Sequence, residues 1–228
     1  MMAGFVFPPP PSPSVAVEGI ADRFPVRRIF CVGRNYAEHA REMGHDPTAE
    51  PPFFFTKPAD ALVDSGATIP YPTATADYHH EAELVVALGA GGADVTEAEA
   101  QTLIWGYGAG NDLTRRDVQA VAKAARRPWD MAKGFDQSAV VGSIRPVAMG
   151  APLGRIQCLV DGVVTQDADL AEMIWPVPAI IAHLSRLVAL CPGDLIFTGT
   201  PAGVGPIGCG QSCEVRIEGL MPALVHIT

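Results

Sequence analysis

The sequence predicts an α+β fold that is mostly β-sheet with a few short helices. Strand-like runs outnumber helical ones, and 23 glycines and 21 prolines divide the 228 residues into short segments. Strands and helices do not alternate in the βαβ order that a parallel α/β sheet requires. The length suits a single domain with a large buried core.

Composition excludes several classes of protein. Sixteen Lys and Arg residues against 25 Asp and Glu residues give a net charge of −9, which argues against nucleic acid or an anionic membrane as the partner. No stretch approaches 18 apolar residues, so no membrane span is predicted. The five cysteines form no CxxC pair, and the N-terminus lacks the basic region of a signal peptide. We therefore expect a cytoplasmic protein whose cysteines are reduced and buried, with neither a zinc site nor a disulfide framework.

The first elements are a leader, a strand, a helix and a second strand. Residues 1–25 are predicted to form a proline-rich leader, either mobile or packed as an arm, because PPPPSP favours an extended polyproline conformation. A single domain is predicted over residues 26–228. Its first strand is Arg28–Gly33, followed by a short helix over Asn35–Gly44 that the glycine ends. PPFFFTKP, from Pro51 to Pro58, suits a short strand.

The central and C-terminal elements have clear local signals. Glu81–Leu88 is a predicted strand, and the T-x-x-E capping box of Thr96 and Glu99 predicts a helix that ends near Leu103. The segment LGRIQCLVDGVV, residues 153–164, predicts two strands joined at an Asp-Gly turn. A helix is predicted over Ala179–Leu190, after two prolines and before Cys-Pro-Gly. Further strands are predicted at residues 195–198 and 213–217.

Three acidic residues are candidate metal ligands. Side chains alternate along a strand, so Glu81 and Glu83 lie on the same face. Two such carboxylates repel each other unless a positive group lies between them, and Mg²⁺ or Mn²⁺ meets that need. Asp112 is a third carboxylate, and histidines precede Glu81. The alternatives are a solvated sheet edge for the glutamates and a turn or helix cap for Asp112.

A basic window follows Asp112 in this acidic chain. It contains six of the sixteen basic residues: Arg115, Arg116, Lys123, Arg126, Arg127 and Lys133. A solvated helix face accounts for several of these, and the others could bind an anionic substrate.

Two further patterns each leave two interpretations open. His39 and Glu42 are three residues apart on the first predicted helix, so they share a face, as a general base and its orienting carboxylate would. A surface pair has the same spacing. The loop GTPAGVG, from Gly199 to Gly205, lacks the Walker A and GxGxxG patterns. It is either an ordinary turn or a turn that offers backbone N–H groups and the Thr200 hydroxyl to a carboxylate.

Taken together, these segments resemble the fumarylacetoacetate hydrolase family over roughly residues 26–220. The resemblance is carried by the blocks CVGRNYAEHAREM, FFTKPADAL, HHEAELVVAL, GNDLTRRDVQ, RPWDMAKGFDQSA and PGDLIFTGTPAGVG. The block from Arg127 to Asp136 is most similar to the fumarylpyruvate-hydrolysing branch. The resemblance implies a mixed β-sandwich or β-roll of the family's C-terminal-domain type and a homodimer.

The resemblance also implies a role for each matching residue. Glu81, Glu83 and Asp112 match the metal triad, which usually holds Mg²⁺ or Mn²⁺. His39 and Glu42 match the catalytic dyad, Lys133 a lysine beside the substrate and metal, and Gln119 a residue that places the attacking water. Thr200 matches a contact to the substrate carboxylate, and Arg34 and Lys57 are further candidate substrate-binding residues.

The implied reaction is metal-dependent hydrolysis of a carbon–carbon bond in a 3-acylpyruvate such as fumarylpyruvate, in aromatic catabolism. The same metal chemistry supports a decarboxylase, tautomerase or isomerase of a 2-oxo acid. The alternative from another class is a non-catalytic protein that binds a metal and a 2-oxo acid.

Overall fold

Two β-sheets form most of the structure, a computed structural model that describes residues 4–42 and 51–228, without the side chains of residues 40–42. The helices are α1 (Ala37–Glu42), α2 (Glu97–Leu103), α3 (Arg116–Ala124), α4 (Asp130–Lys133) and α5 (Val177–Leu187). The first nine strands are β1 (Ser14–Val15), β2 (Phe24–Pro25), β3 (Arg28–Val32), β4 (Phe54–Lys57), β5 (Leu62–Asp64), β6 (Ala67–Ile69), β7 (Tyr78–His80), β8 (Ala82–Leu88) and β9 (Ile104–Asp112). The remaining strands are β10 (Thr114–Arg115), β11 (Ala139–Val141), β12 (Arg145–Pro146), β13 (Arg155–Val160), β14 (Val163–Asp169), β15 (Asp194–Phe197), β16 (Gly205–Pro206), β17 (Ser212–Ile217) and β18 (Ala223–Ile227).

The larger sheet is mixed and has β8 and β9 near its centre. Its order is β4-β3-β15-β8-β9-β11-β5, and β12 pairs with part of β9. β8 runs antiparallel to both of its neighbours, while β15 and β3 are parallel. The second sheet has the order β14-β13-β17-β18-β6 and packs against the first. This arrangement confirms the predicted α+β, mostly β architecture.

Both faces of the larger sheet are buried. Leu84, Val86 and Leu88 of β8 pack into the core between the two sheets, while Val85 and Ala87 pack into a second core on the opposite face. The alternation of β8 therefore places Glu81 and Glu83 on the side of the second core, next to apolar side chains. A carboxylate at that position has little contact with bulk water, so its ionisation depends mainly on the groups around it.

The second half of the predicted leader packs as an arm. Val15, Val17 and Phe24 are buried in the second core, and the Glu18 N–H donates to the Ile144 carbonyl. Residues 4–12 are exposed. Apolar burial thus begins at β1, well before residue 26.

Most of the predicted elements are present. The capping box of α2 forms, with the Glu99 N–H donating to Thr96 Oγ1 and the Thr96 N–H donating to Glu99 Oε2. Asp161 and Gly162 both have positive φ, as the turn between β13 and β14 requires. The predicted end of the first helix at Gly44 lies outside the described residues.

Strand β9 was not predicted, because Gly106, Gly108 and Gly110 weaken its strand propensity. Packing explains why glycines are present in this strand, since a Cβ on Gly110 would lie 2.4 Å from Val85 Cγ2. The expectation that all cysteines are buried is wrong for Cys209, which is exposed, while Cys31, Cys158 and Cys213 are buried. In the part of the chain that the structure describes, no helix is long and apolar enough to span a membrane.

Candidate active site

Glu81, Glu83 and Asp112 form one buried cluster at the end of the β8–β9 pair. The Asp112 N–H donates to the Glu81 carbonyl at 2.9 Å, so these two residues lie opposite each other. Glu83 is two residues further along β8, opposite Gly110. Each residue offers a carboxylate oxygen that lies within 4.8 Å of those of the other two. Strand register therefore gathers the three predicted ligands, and Asp112 is a buried strand residue rather than a helix cap or a turn.

Three cations neutralise this cluster from the protein side. Lys133 Nζ donates to Glu81 Oε2 at 2.7 Å and to Asp112 Oδ2 at 2.8 Å. Arg116 donates to Glu81 Oε1 at 2.5 Å, and Lys57 Nζ lies 2.8 Å from Asp112 Oδ1. Three positive and three negative side chains thus meet in one buried region.

The carboxylates of this cluster differ in their pKa. Burial favours the neutral acid of Glu81, but the charges of Lys133 and Arg116 outweigh it and lower the pKa. Burial, together with the charges of Asp112 and Glu81, raises the pKa of Glu83 well above its usual value. Within the described part of the chain, no Lys or Arg forms an ion pair with Glu83. Its Oε2 accepts from the Gly199 N–H, at 2.7 Å.

The donor set fits a hard divalent cation. Three buried carboxylates at this spacing are the oxygen ligands that Mg²⁺ and Mn²⁺ prefer. A cation among them would also relieve the repulsion that raises the pKa of Glu83. The histidines before Glu81 lie outside the cluster, since His79 contacts Asp77 and His80 Nδ1 contacts Gln166 Oε1.

A pocket open to solvent lies beside the carboxylates, and we refer to it as the cavity. Seven of the ten predicted site residues line it: Arg34, His39, Glu81, Glu83, Gln119, Lys133 and Thr200. Asp112 lies behind Lys133, completely buried. The structure therefore brings the predicted ligands and most of the predicted substrate contacts to one place.

His39 is positioned on this wall by α1, with 4% of its surface exposed. It is close enough to Glu81 to help lower the pKa of that carboxyl. Glu42 is the last residue of α1, and its side chain lies outside the description. The pairing of Glu42 with His39 accordingly stays a prediction.

Gln119 and Thr200 each accept a hydrogen bond from a neighbouring side chain, and each keeps a donor group that can face the cavity. Gln119 Oε1 accepts from Arg116 at 2.7 Å, so the NH₂ group is what Gln119 can present. Thr200 Oγ1 accepts from Gln166 Nε2 at 2.8 Å, which leaves the hydroxyl proton to donate. Both arrangements suit contact with a carboxylate or a water oxygen.

Lys57 differs from its predicted role as a substrate-binding residue. Its side chain is fully buried, and besides Asp112 its ammonium contacts the carbonyl oxygens of Leu113, at 3.2 Å, and of Lys133. The ammonium is thereby held by protein atoms, and Lys57 does not line the cavity. Lys57 supports Asp112 from behind.

Several residues of the site were not singled out from the sequence. Arg116 and Lys123 line the cavity, and the basic window was the signal that contained them. Phe55 and Trp129 form an aromatic part of the wall, with ring centroids 5.8 Å apart. Gln166 comes from β14, in the other sheet, and no local pattern marks it.

Comparison with known proteins identifies relatives over nearly the whole chain. The family described as "Fumarylacetoacetate (FAA) hydrolase C-terminal" matches residues 28–227. A fumarylpyruvate hydrolase from Ralstonia sp. is 45% identical over 176 residues, 77% of this chain and 92% of that protein. A mitochondrial oxaloacetate decarboxylase from Dictyostelium discoideum is 40% identical over 197 residues, 85% of this chain and 90% of that protein.

A solved structure also resembles this one closely. The crystal structure of a fumarylpyruvate hydrolase from Pseudomonas aeruginosa, in complex with Mn²⁺ and pyruvate, superposes with a TM-score of 0.95. Its sequence is 45% identical, and the match covers 99% of both chains.

Proposed function

The chain belongs to the fumarylacetoacetate hydrolase family, and on this basis we propose that it hydrolyses the carbon–carbon bond of a 3-acylpyruvate with a divalent cation as cofactor. Our proposed substrate is fumarylpyruvate, cleaved to fumarate and pyruvate. The relative from Ralstonia sp. and the Mn²⁺ and pyruvate complex from Pseudomonas aeruginosa support this reaction.

The observation that carries the proposal is the buried triad of carboxylates on a cavity that His39 also lines. The side chains around the triad are electrically balanced, with three carboxylates against Lys57, Lys133 and Arg116. When bound by Glu81, Glu83 and Asp112, Mg²⁺ or Mn²⁺ would supply two positive charges and a Lewis acid for the 1-carboxylate and 2-oxo group of the substrate. A balanced site plus a divalent cation has room for the two negative charges of fumarylpyruvate.

The protein's own residues would carry out the remaining steps. His39, oriented by Glu42, would take a proton from water, and the NH₂ group of Gln119 would hold that water. The Thr200 hydroxyl would donate to the 1-carboxylate. Lys133 would place its positive charge where negative charge develops on the pyruvate part. Its pKa is raised because Asp112 and Glu81 outweigh burial, so it stays protonated.

The bond changes balance without another reactant. The water oxygen forms a bond to the 4-oxo carbon, and the C3–C4 bond breaks. Its electron pair stays with the pyruvate part, and C3 then receives the proton taken from water. The new carboxylic acid releases its remaining proton to solvent, so the products are the acyl group as its carboxylate, here fumarate, and pyruvate.

A second candidate is decarboxylation or tautomerisation of oxaloacetate at the same site. The relative from Dictyostelium discoideum supports it, at an identity close to that of the hydrolase. The two reactions share the metal triad and the 2-oxo acid and differ in whether water is activated. We propose hydrolysis because His39 lies on the cavity wall near Glu81.

Turnover of candidate substrates tests the proposal. Loss of the enol ultraviolet absorbance of fumarylpyruvate and acetylpyruvate would be followed with Mn²⁺, Mg²⁺ or EDTA, coupled to pyruvate detection. Metal-dependent pyruvate release, faster from fumarylpyruvate and absent in Glu83→Gln, is the expected result. Absorbance loss without pyruvate, or activity on oxaloacetate alone, would overturn hydrolysis in favour of the second candidate. Bound metal with no turnover of any of them would favour a non-catalytic protein.

Three accompanying expectations are also proposals: a catalytic domain over residues 26–228, a homodimer and a cytoplasmic location. Light scattering would measure the oligomeric state directly.

A further inference from the structure

Lys123 is a cation of the cavity wall that the reaction outlined above does not use. It follows Arg116 by seven residues and Gln119 by four on α3, so the three side chains share one helix face. That face lines the cavity. Arg116 and Gln119 are joined to each other and to Glu81. Lys123, by contrast, forms no ion pair with any side chain that the structure describes.

Lys123 is half-buried, and its charge has little to neutralise it. Its ammonium lies 5.9 Å from the centre of the Trp129 ring, which makes a weak cation–π contact. Burial, and then the charges of Arg34 and Arg116, lower the pKa of Lys123, and Glu81 opposes them only in part. An anion that entered this part of the cavity would stabilise the ammonium.

The triad lies at one end of the cavity and Lys123 at the other, and the two ends differ in charge. At the triad, Lys57, Lys133 and Arg116 already form ion pairs with Asp112 and Glu81. Lys123 adds a positive charge that this set does not use. Between Lys123 and Lys133 the wall is aromatic, since the Lys133 ammonium lies 5.1 Å from the Phe55 ring centre and Phe55 contacts Trp129. A flat, conjugated chain with a carboxylate at each end matches this order of groups.

We propose that Lys123 binds the carboxylate at the acyl end of the substrate and so makes the site selective for dicarboxylic acylpyruvates. This inference rests on the proposed function, because it takes the triad as the end that holds the 2-oxo acid group. A substrate with an uncharged acyl end leaves Lys123 unmatched and should react more slowly.

The kinetic test compares two substrates in one set of variants. In Lys123→Gln, kcat/KM for fumarylpyruvate should fall by about 10- to 100-fold, the effect of one charge-assisted hydrogen bond. For acetylpyruvate, which has no second carboxylate, the change should stay within about twofold. Lys123→Arg keeps the charge and should retain most of the activity on fumarylpyruvate. Arg126→Gln removes an exposed charge two residues after α3 and controls for the overall field of the protein. An equal fall for both substrates, or no fall for either, overturns the proposal.

A binding test separates this inference from the proposed function. In the presence of Mn²⁺, calorimetry would compare 2-oxopimelate with 2-oxoheptanoate, which have seven carbons each and differ in the terminal carboxylate. The wild-type protein should prefer 2-oxopimelate by at least about tenfold, and Lys123→Gln should lose that preference. Oxalate, which engages only the triad end, should bind both proteins equally. If the wild-type protein prefers 2-oxopimelate but turns over no acylpyruvate, the proposed hydrolysis is overturned and the role of Lys123 stands. If the wild-type protein binds both acids equally, the role of Lys123 is overturned.

Discussion

Glu83 places a negative charge where the metal-free protein is least able to stabilise it, so Glu83→Gln should have opposite effects on stability and on metal binding. Glutamine has nearly the same shape as glutamate, and its amide oxygen can still accept from the Gly199 N–H. What the substitution removes is the charge that faces Asp112 and Glu81. We expect the metal-free variant to be more stable than the wild type and to have lost its response to Mn²⁺.

The magnitude follows from the spacing of the carboxylates. Two unit charges no more than 4.8 Å apart repel by at least about 3.5 kcal/mol at an effective dielectric constant of about 20. Attraction to Lys133 is lost with the charge, and a hydrogen bond to a neutral acceptor is weaker by about 1 kcal/mol. The net gain in unfolding free energy without metal is therefore about 1–3 kcal/mol. At about 2–4 °C per kcal/mol for a chain of this size, the melting temperature should rise measurably.

Thermal unfolding in EDTA and in Mn²⁺ is the assay. Saturating Mn²⁺ should stabilise the wild type, by about 2.7 kcal/mol at a hundred times its Kd, and should leave Glu83→Gln unchanged. Glu97→Gln, an exposed glutamate in the first turn of α2, is the matched control and should behave as wild type in both conditions.

The pH dependence provides an independent check. The folded-state pKa of Glu83 is raised, so its penalty is present above that pKa and disappears as the pH falls toward the unfolded value. The advantage of Glu83→Gln in EDTA should therefore shrink as the pH is lowered. A variant that is less stable than wild type in EDTA, or that still responds to Mn²⁺, would refute the reasoning.

Three further outcomes are expected. His39→Ala should keep the Mn²⁺-induced rise in melting temperature and lose at least about 100-fold in kcat for fumarylpyruvate; hydrolysis near the wild-type rate would remove His39 from the reaction. Mn²⁺ affinity should fall by up to about tenfold per pH unit as the pH drops through the raised pKa of Glu83, because protons compete for that carboxylate, and calorimetry that finds the same affinity at every pH at which the protein stays folded would contradict it. Deletion of residues 1–12, of which residues 4–12 are exposed, should change the melting temperature by less than about 2 °C; a larger loss would show that this segment is structural.

Local patterns of the sequence were sufficient for many elements. The capping box of α2, the Asp161-Gly162 turn and the alternation around Glu81 and Glu83 each depend on neighbouring residues, so they could be predicted without knowledge of the fold. Strand β9 could not, because its three glycines argue against a strand. Its stability comes from Val85, Phe197 and Ile144, which pack where side chains would otherwise stand.

The candidate site divides in the same way. The sequence shows the types of residue that form the site: a pair of carboxylates, a third acid and a basic window. The family resemblance then suggested a role for each of them. The sequence by itself therefore determined the fold class, the candidate metal ligands and the family.

Only the tertiary structure decided which basic side chain forms an ion pair with which carboxylate. The register of β8 and β9 sets Asp112 opposite Glu81, and in this buried region both carboxylates form ion pairs with cations from other elements. Lys57 forms an ion pair with Asp112, and both Arg116 and Lys133 form ion pairs with Glu81. Lys123 lines the cavity without an acidic partner among the described side chains. Such pairings join residues far apart in the chain across a region that excludes water, and no local pattern encodes them.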